Sequence, residues 1–180
     1  MVKAALLMLT LVVVIVGGCE WYLRSKNVVL AYDDGPPLWS HKRGRVYEPS
    51  EKTVVFIGSS RIKYDLNIPT WENLTGTKAV QLAIEGSNPR PILEDLANDP
   101  KFKGRLVVDV TEGLFFSNAP PNVSSPNKNI QYYHDLTPAQ RVSFWLNKPV
   151  ESAFVFWIKK VCLSMPNWTN WKSQADRAYL

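Results

Sequence analysis

The residues of this chain with the most chemical promise are Gly58-Ser59-Ser60-Arg61, which end a run of β-favouring residues, Thr53-Val54-Val55-Phe56-Ile57. A serine on a sharp turn between a strand and a helix has an exposed hydroxyl and a free backbone N–H. That is how a nucleophile is presented. The plainer reading is that Ser59 or Ser60 caps the following helix, since serine is a favoured N-cap. Taken alone, this stretch favours the cap. Attack by a serine hydroxyl needs a proton acceptor within hydrogen-bond reach, donors facing the developing oxyanion, and a partner that orients the acceptor. The chain has two histidines, His41, upstream in a polar segment, and His134.

These residues matter only if the chain brings them together. The run at 53–58 reads as a buried strand, short and apolar between turn residues. A helical segment follows near 62–74, interrupted by Pro69 and closed by Gly76. Lys78 to Ile84 is a second strand, running into Glu85-Gly86-Ser87-Asn88-Pro89. A helix through Pro91 to Leu96 and a third strand at Leu106 to Val110 complete a βαβαβ unit. Right-handed crossovers then give a parallel three-stranded core, with ligands expected at the carboxyl ends of its strands. Residues 24–52, polar and broken by Asp33-Asp34-Gly35-Pro36-Pro37, read as a linker, and Ser117 to Asn129 as a loop. Thr137-Pro138 opens a helix through Trp145, and Pro149 opens another to about Leu163, greasy on both faces and read as part of a larger core.

Across residues 53–116 the three strand ends together resemble the SGNH (GDSL-type) hydrolase family, enzymes that cleave esters or remove acyl groups. The fold class implied is α/β: a three-layer α/β/α arrangement with a parallel sheet, SGNH- or flavodoxin-like. The resemblance implies Ser60 as nucleophile and the N–H of Gly86 as an oxyanion donor. Ser59 stands where the family has an aspartate. Glu112 falls about where the family places an asparagine donor, which leaves Thr111 to donate if Glu112 points away. His134, in Gln131-Tyr132-Tyr133-His134-Asp135-Leu136-Thr137-Pro138, is similar in placement to the block that carries the base, with Gln131 in place of the family's aspartate. The function the resemblance implies is a membrane-anchored serine ester or acyl hydrolase, of which the chain is an N-terminal portion with further strands and an Asp/His block beyond Leu180; the alternative is a degenerate member that keeps the scaffold for binding or assembly.

Composition narrows the rest. At 180 residues and 46% apolar, the chain suits one packed domain, at 53–180, with no internal repeats. The net charge of +5 is scattered, with Lys42, Arg43 and Arg45 as its densest group, so nucleic acid is not an expected partner. Two cysteines and two separated histidines lack metal-site spacing, so neither metal nor cofactor is expected, and Cys162 reads as a small core residue. Residues 1–23 read as a signal or membrane anchor. Lys3 precedes an apolar run from Ala4 to Val16, and Val16-Gly17-Gly18-Cys19 resembles the lipobox of bacterial lipoproteins. The competing reading is an uncleaved anchor with Trp21 and Tyr22 at the interface and Arg24 and Lys26 beyond it. Both place the remainder outside the cytoplasm, at a bacterial cell envelope, where acylated carbohydrate is the expected substrate class.

Overall fold

The computed structural model of the chain describes residues 2–26, 34–47 and 52–153. They group into two compact units, one holding the N-terminal segment and the chain from Val142, the other running from Asp34 to Arg141. Cys162 and the end of the expected C-terminal helix lie outside the described residues.

In the first unit, helix α1 (Val2–Ser25) has 24 residues, a mean hydropathy of 2.4 in its most apolar window, and no buried residue. At 1.5 Å per residue it is about 36 Å long, enough to cross a bilayer. Glu20 does not interrupt it, because its carboxylate pairs with Arg24 one turn on, at 2.6 Å. The helix therefore extends past the expected boundary at residue 23, with Cys19 exposed on its surface.

The second unit is built on a parallel sheet in the order β2-β1-β3, with β1 (Thr53–Ile57), β2 (Lys78–Gln81) and β3 (Arg105–Val108). Val55 stands opposite Val80 on one side and Leu106 on the other. β1 is buried along its whole length, as a continuous apolar run should be when both faces are covered. One face packs Val55, Ile57, Val80 and Leu82 with Ile92 and Leu96 of α5 (Arg90–Ala97). The other packs Val54, Phe56 and Ala79 with Ile68, Ile62 and Trp71, from α3 (Ser60–Asp65) and α4 (Ile68–Thr75). The break between α3 and α4 follows from sequence. Asn67 caps α4 by accepting from the Thr70 N–H at 3.0 Å, Pro69 sits in the first turn, and Gly76 closes the helix at φ +65°.

Two segments depart from the sequence expectation. Residues 34–47, expected as part of a linker, form α2 (Pro36–Gly44) and a 3-10 turn (Arg45–Tyr47), with Trp39 and Val46 in the core. The Trp39 indole donates to the Leu82 carbonyl at 3.0 Å, and Asp34 pairs with both Lys42 and Lys63. The double proline that reads as a breaker is a helix start, where a missing N–H costs nothing.

Residues 117–129, expected as a loop, mostly belong to α7 (Pro120–His134), which follows the single turn α6 (Glu112–Phe115). Pro120 and Pro121 again occupy a first turn, while Pro126 lies inside the helix. The last helix among the described residues, α8 (Pro138–Ala153), opens as expected at Pro138, behind Thr137. Its start is a reciprocal cap: Thr137 N–H donates to Gln140 Oε1 at 2.8 Å, and Gln140 N–H to Thr137 Oγ1 at 3.3 Å. Pro149 sits within this helix and does not open a new one.

Candidate functional site

The carboxyl edge of the sheet collects the residues singled out by sequence. Beyond Gln81 the chain stays alongside β1: Leu82 N–H donates to the Phe56 carbonyl at 2.9 Å and Ile84 N–H to the Gly58 carbonyl at 3.2 Å. Ser60 and Gly86 each stand two residues past that last bonded pair, so they leave the sheet side by side on adjacent chains. Tyr64 on α3 fastens the arrangement, donating to Glu85 at 2.6 Å. Gly86 adopts φ +65°, a left-handed turn, and a Cβ there would meet nothing within 4 Å. Its glycine is required by the turn and not by crowding. At Gly58 crowding also requires glycine, since a Cβ would lie 2.7 Å from Asp109 Cβ and from Ile62 Cγ2.

Ser59 holds the N-cap position of α3 but makes no side-chain cap. Its buried hydroxyl turns across the strand ends to Thr111 Oγ1 at 2.9 Å. Thr111 Oγ1 also accepts from Arg61 Nη2 at 3.0 Å, and the same nitrogen reaches the Val110 carbonyl at 2.9 Å and Asp109 Oδ1 at 3.2 Å. Either hydroxyl can donate in the Ser59–Thr111 pair. Ser60 is half-buried at the first position of α3, and Glu112 is exposed on α6. Sequence reading named Ser60, Gly86 and Thr111 but missed Arg61 and Asp109, which sit beside Thr111. The arginine directly behind the serines was the available signal.

Asn88 closes the floor beside Gly86. It is buried; its amide donates to the Ser117 carbonyl at 2.8 Å, its Oδ1 accepts from Arg90 N–H at 2.9 Å, and its backbone N–H reaches the Asn122 carbonyl at 2.9 Å. Both α5 and α7 thus start at this edge and run away from it, α7 for about 22 Å.

His134 is delivered to the far end of that helix. Its Nε2 pairs with Asp95 Oδ1 at 2.7 Å. Asp95 Oδ2 and Asp99 Oδ2 each take a 2.8 Å bond from Arg43, whose guanidinium lies over the rings of Tyr47 and Tyr133. Tyr47 donates to Asp99. Nearby, Gly104 packs against the Thr53 carbonyl, at the amino end of β1. The structure therefore does not bring His134 and Ser60 together; it places the histidine beside an open recess of about 600 Å³ between α5 and α7.

The electrostatics there are those of a structural clamp. Burial works against the charge of Arg43, but its bonds to Asp99 and Asp95 outweigh it and hold its pKa above the ordinary value. Burial and the bond to Asp99 push the Tyr47 phenol up. Burial of Asp99 opposes its ionisation, yet the Tyr47 and Arg43 donors prevail and lower its pKa.

Among the described residues no group of three or more His, Cys, Asp or Glu is arranged to hold a metal ion. Comparison with family models, with curated proteins and with solved structures finds no match to this chain.

Proposed function

We propose that this protein is a membrane-anchored α/β domain of SGNH-hydrolase type, of three-layer α/β/α build, that binds or assembles at the cell envelope without performing the family's triad chemistry. One observation carries this reading: the Nε2 of His134 is engaged by Asp95 at the C-terminal end of α7. A general base must lie within hydrogen-bond reach of the proton it removes. Ser60 opens α3 while α7 carries the histidine about 22 Å from the edge where both helix and serine begin. Without a base, a triad enzyme retains only a rate enhancement of roughly 10³–10⁴-fold. What survives is the binding half of the site: the Ser60 and Gly86 amides at one edge, with Arg61 beside them. The ligand class that suits this edge at an envelope is an acylated carbohydrate, held by its carbonyl and hydroxyl oxygens.

The hydrolase reading is favoured by one specific relationship, the side-by-side exit of Ser60 and Gly86 from β1 and the β2 extension. It requires a base other than His134. A serine-directed fluorophosphonate probe, applied to the full chain in membranes, separates the two. The binding reading expects no labelling of folded protein. Labelling that disappears in Ser60→Ala would restore the esterase.

A further inference from the structure

β3 is an outer strand: β1 lies on one side of it, and among the described residues no strand lies on the other. Its backbone directions follow from one bond. Asp109 N–H donates to the Ile57 carbonyl at 2.9 Å, so Asp109, and with it Val107 and Arg105, turn their N–H and C=O groups toward β1. Leu106 and Val108 alternate with them and turn theirs outward, where a further strand would be received. The side chains of Arg105, Val107 and Asp109 share the sheet face that α3 and α4 cover over β1 and β2. Over β3 that cover ends: Val107, level with Phe56, is 39% exposed, and Arg105 is exposed too. The Asp109 carboxylate is held by Arg61 through one oxygen, and its other, buried oxygen has no partner.

We propose that two copies of this chain join through β3, antiparallel and about a two-fold axis at Val107, into one six-stranded sheet of order β2-β1-β3-β3-β1-β2. The directions above fit this register. With Val107 opposite its own symmetry mate, Leu106 stands opposite Val108 of the second copy, and the two exchange both backbone bonds, twice over by symmetry. Arg105 stands opposite Asp109 of the second copy, at positions where side chains approach most closely because no backbone bonds join the pair. Charge argues for a second copy over a foreign strand. A basic and an acidic side chain sit two residues either side of the axis, so the edge is complementary to itself. Slippage by one residue loses both pairs, and a parallel arrangement sets like charges together. The pairing uses the sheet alone, so it holds with or without an active Ser60.

The test uses the full chain in mild detergent, with its native cysteines replaced by serine. Val107→Cys sets a thiol against its own symmetry mate, with Cα atoms about 4.5 Å apart, within disulfide reach. Copper–phenanthroline oxidation should therefore join two chains. Arg105→Cys alone places its two thiols roughly 14 Å apart and should stay single. A mixture of Arg105→Cys and Asp109→Cys chains should cross-link. Arg105→Glu should weaken association about tenfold in sedimentation equilibrium, and Arg105→Glu/Asp109→Arg should recover it. Should that exchange disturb the bond to Arg61, the Val107→Cys cross-link still decides, because it leaves both charges in place. Amide exchange at Leu106 and Val108 should slow as chain concentration rises. A monomeric chain with no Val107→Cys dimer overturns the proposal. Equal cross-linking at 107 and 105 overturns it as well, since it reports collision or contact elsewhere in the chain. Protection of Leu106 and Val108 that ignores concentration means another segment occupies the edge, and it too sinks the pairing.

Discussion

The backbone N–H of Asn88 reaches the carbonyl of Asn122 at 2.9 Å, a carbonyl left open because Pro126, four residues further along α7, has no N–H to fill it. A proline that should weaken the helix thus creates the acceptor that docks the Gly86 turn against α7. Pro126→Ala should accordingly fall well short of the gain of about 3 kcal/mol that replacing an interior proline offers in an isolated helix. Hydrogen exchange at the Asn88 amide should become faster in that variant. Unchanged protection would remove the role assigned to the proline.

The Asn88 side chain makes the same junction from the other direction. Asn88→Ala strands the Ser117 carbonyl and the Arg90 N–H, at a cost of about 2–4 kcal/mol for two lost bonds at a buried site. A fall in urea midpoint at unchanged slope is the expected result.

Gly58 and Gly86 should respond differently to the same substitution. Gly58→Ala forces a methyl to within 2.7 Å of Asp109 and Ile62, an overpacking expected to cost about 1–3 kcal/mol or more. Gly86→Ala meets no neighbour and bears only the left-handed strain, about 1–2 kcal/mol. Equilibrium unfolding should rank Gly58→Ala as the more damaging; the opposite order would mean that the two strand ends do not abut as described.

The clamp at Arg43 predicts a pH profile. The folded-state pKa of Asp99 is depressed, so its stabilisation is complete above the unfolded value near 3.9 and is lost as pH falls through the folded value. The Tyr47 phenol is raised, so its contribution holds below about pH 10 and declines above it. Thermal unfolding between pH 2 and 11 should show both limbs, with the acid limb shallower in Asp99→Asn. Removing the buried cation by Arg43→Met leaves Asp95 and Asp99 facing each other and should cost about 3–5 kcal/mol.

Thr111→Val tests the cross-strand tie. It leaves the buried Ser59 hydroxyl without its partner, while Arg61 keeps Asp109 and the Val110 carbonyl. A loss of about 1–3 kcal/mol is expected by denaturant unfolding, and Ser59→Ala combined with it should restore part of that loss.

The parallel sheet was legible because β1, β2 and β3 are short apolar runs bounded by turn residues, and because Pro69 and Gly76 punctuate the helices between them. Ser60 and Gly86 could be placed together for the same reason: strand ends fix their positions. Helices α2 and α7 were hidden by composition. Few apolar residues mark α2, and prolines in the first turns of both read as breaks although a helix tolerates them there. Missing α7 also removed the means of placing His134, since that helix carries it away from the edge. The pairs Ser59–Thr111 and Arg61–Asp109 join residues about fifty positions apart and depend on side-chain direction, which no local pattern encodes.

β1 is sandwiched between two neighbours and sealed on both faces, whereas alternate residues of β3 face out, Val107 being 39% exposed. The sheet should therefore fray from one side. Water reaches the outer strand during small fluctuations, while the amide protons of the middle strand are released only when the whole unit comes apart.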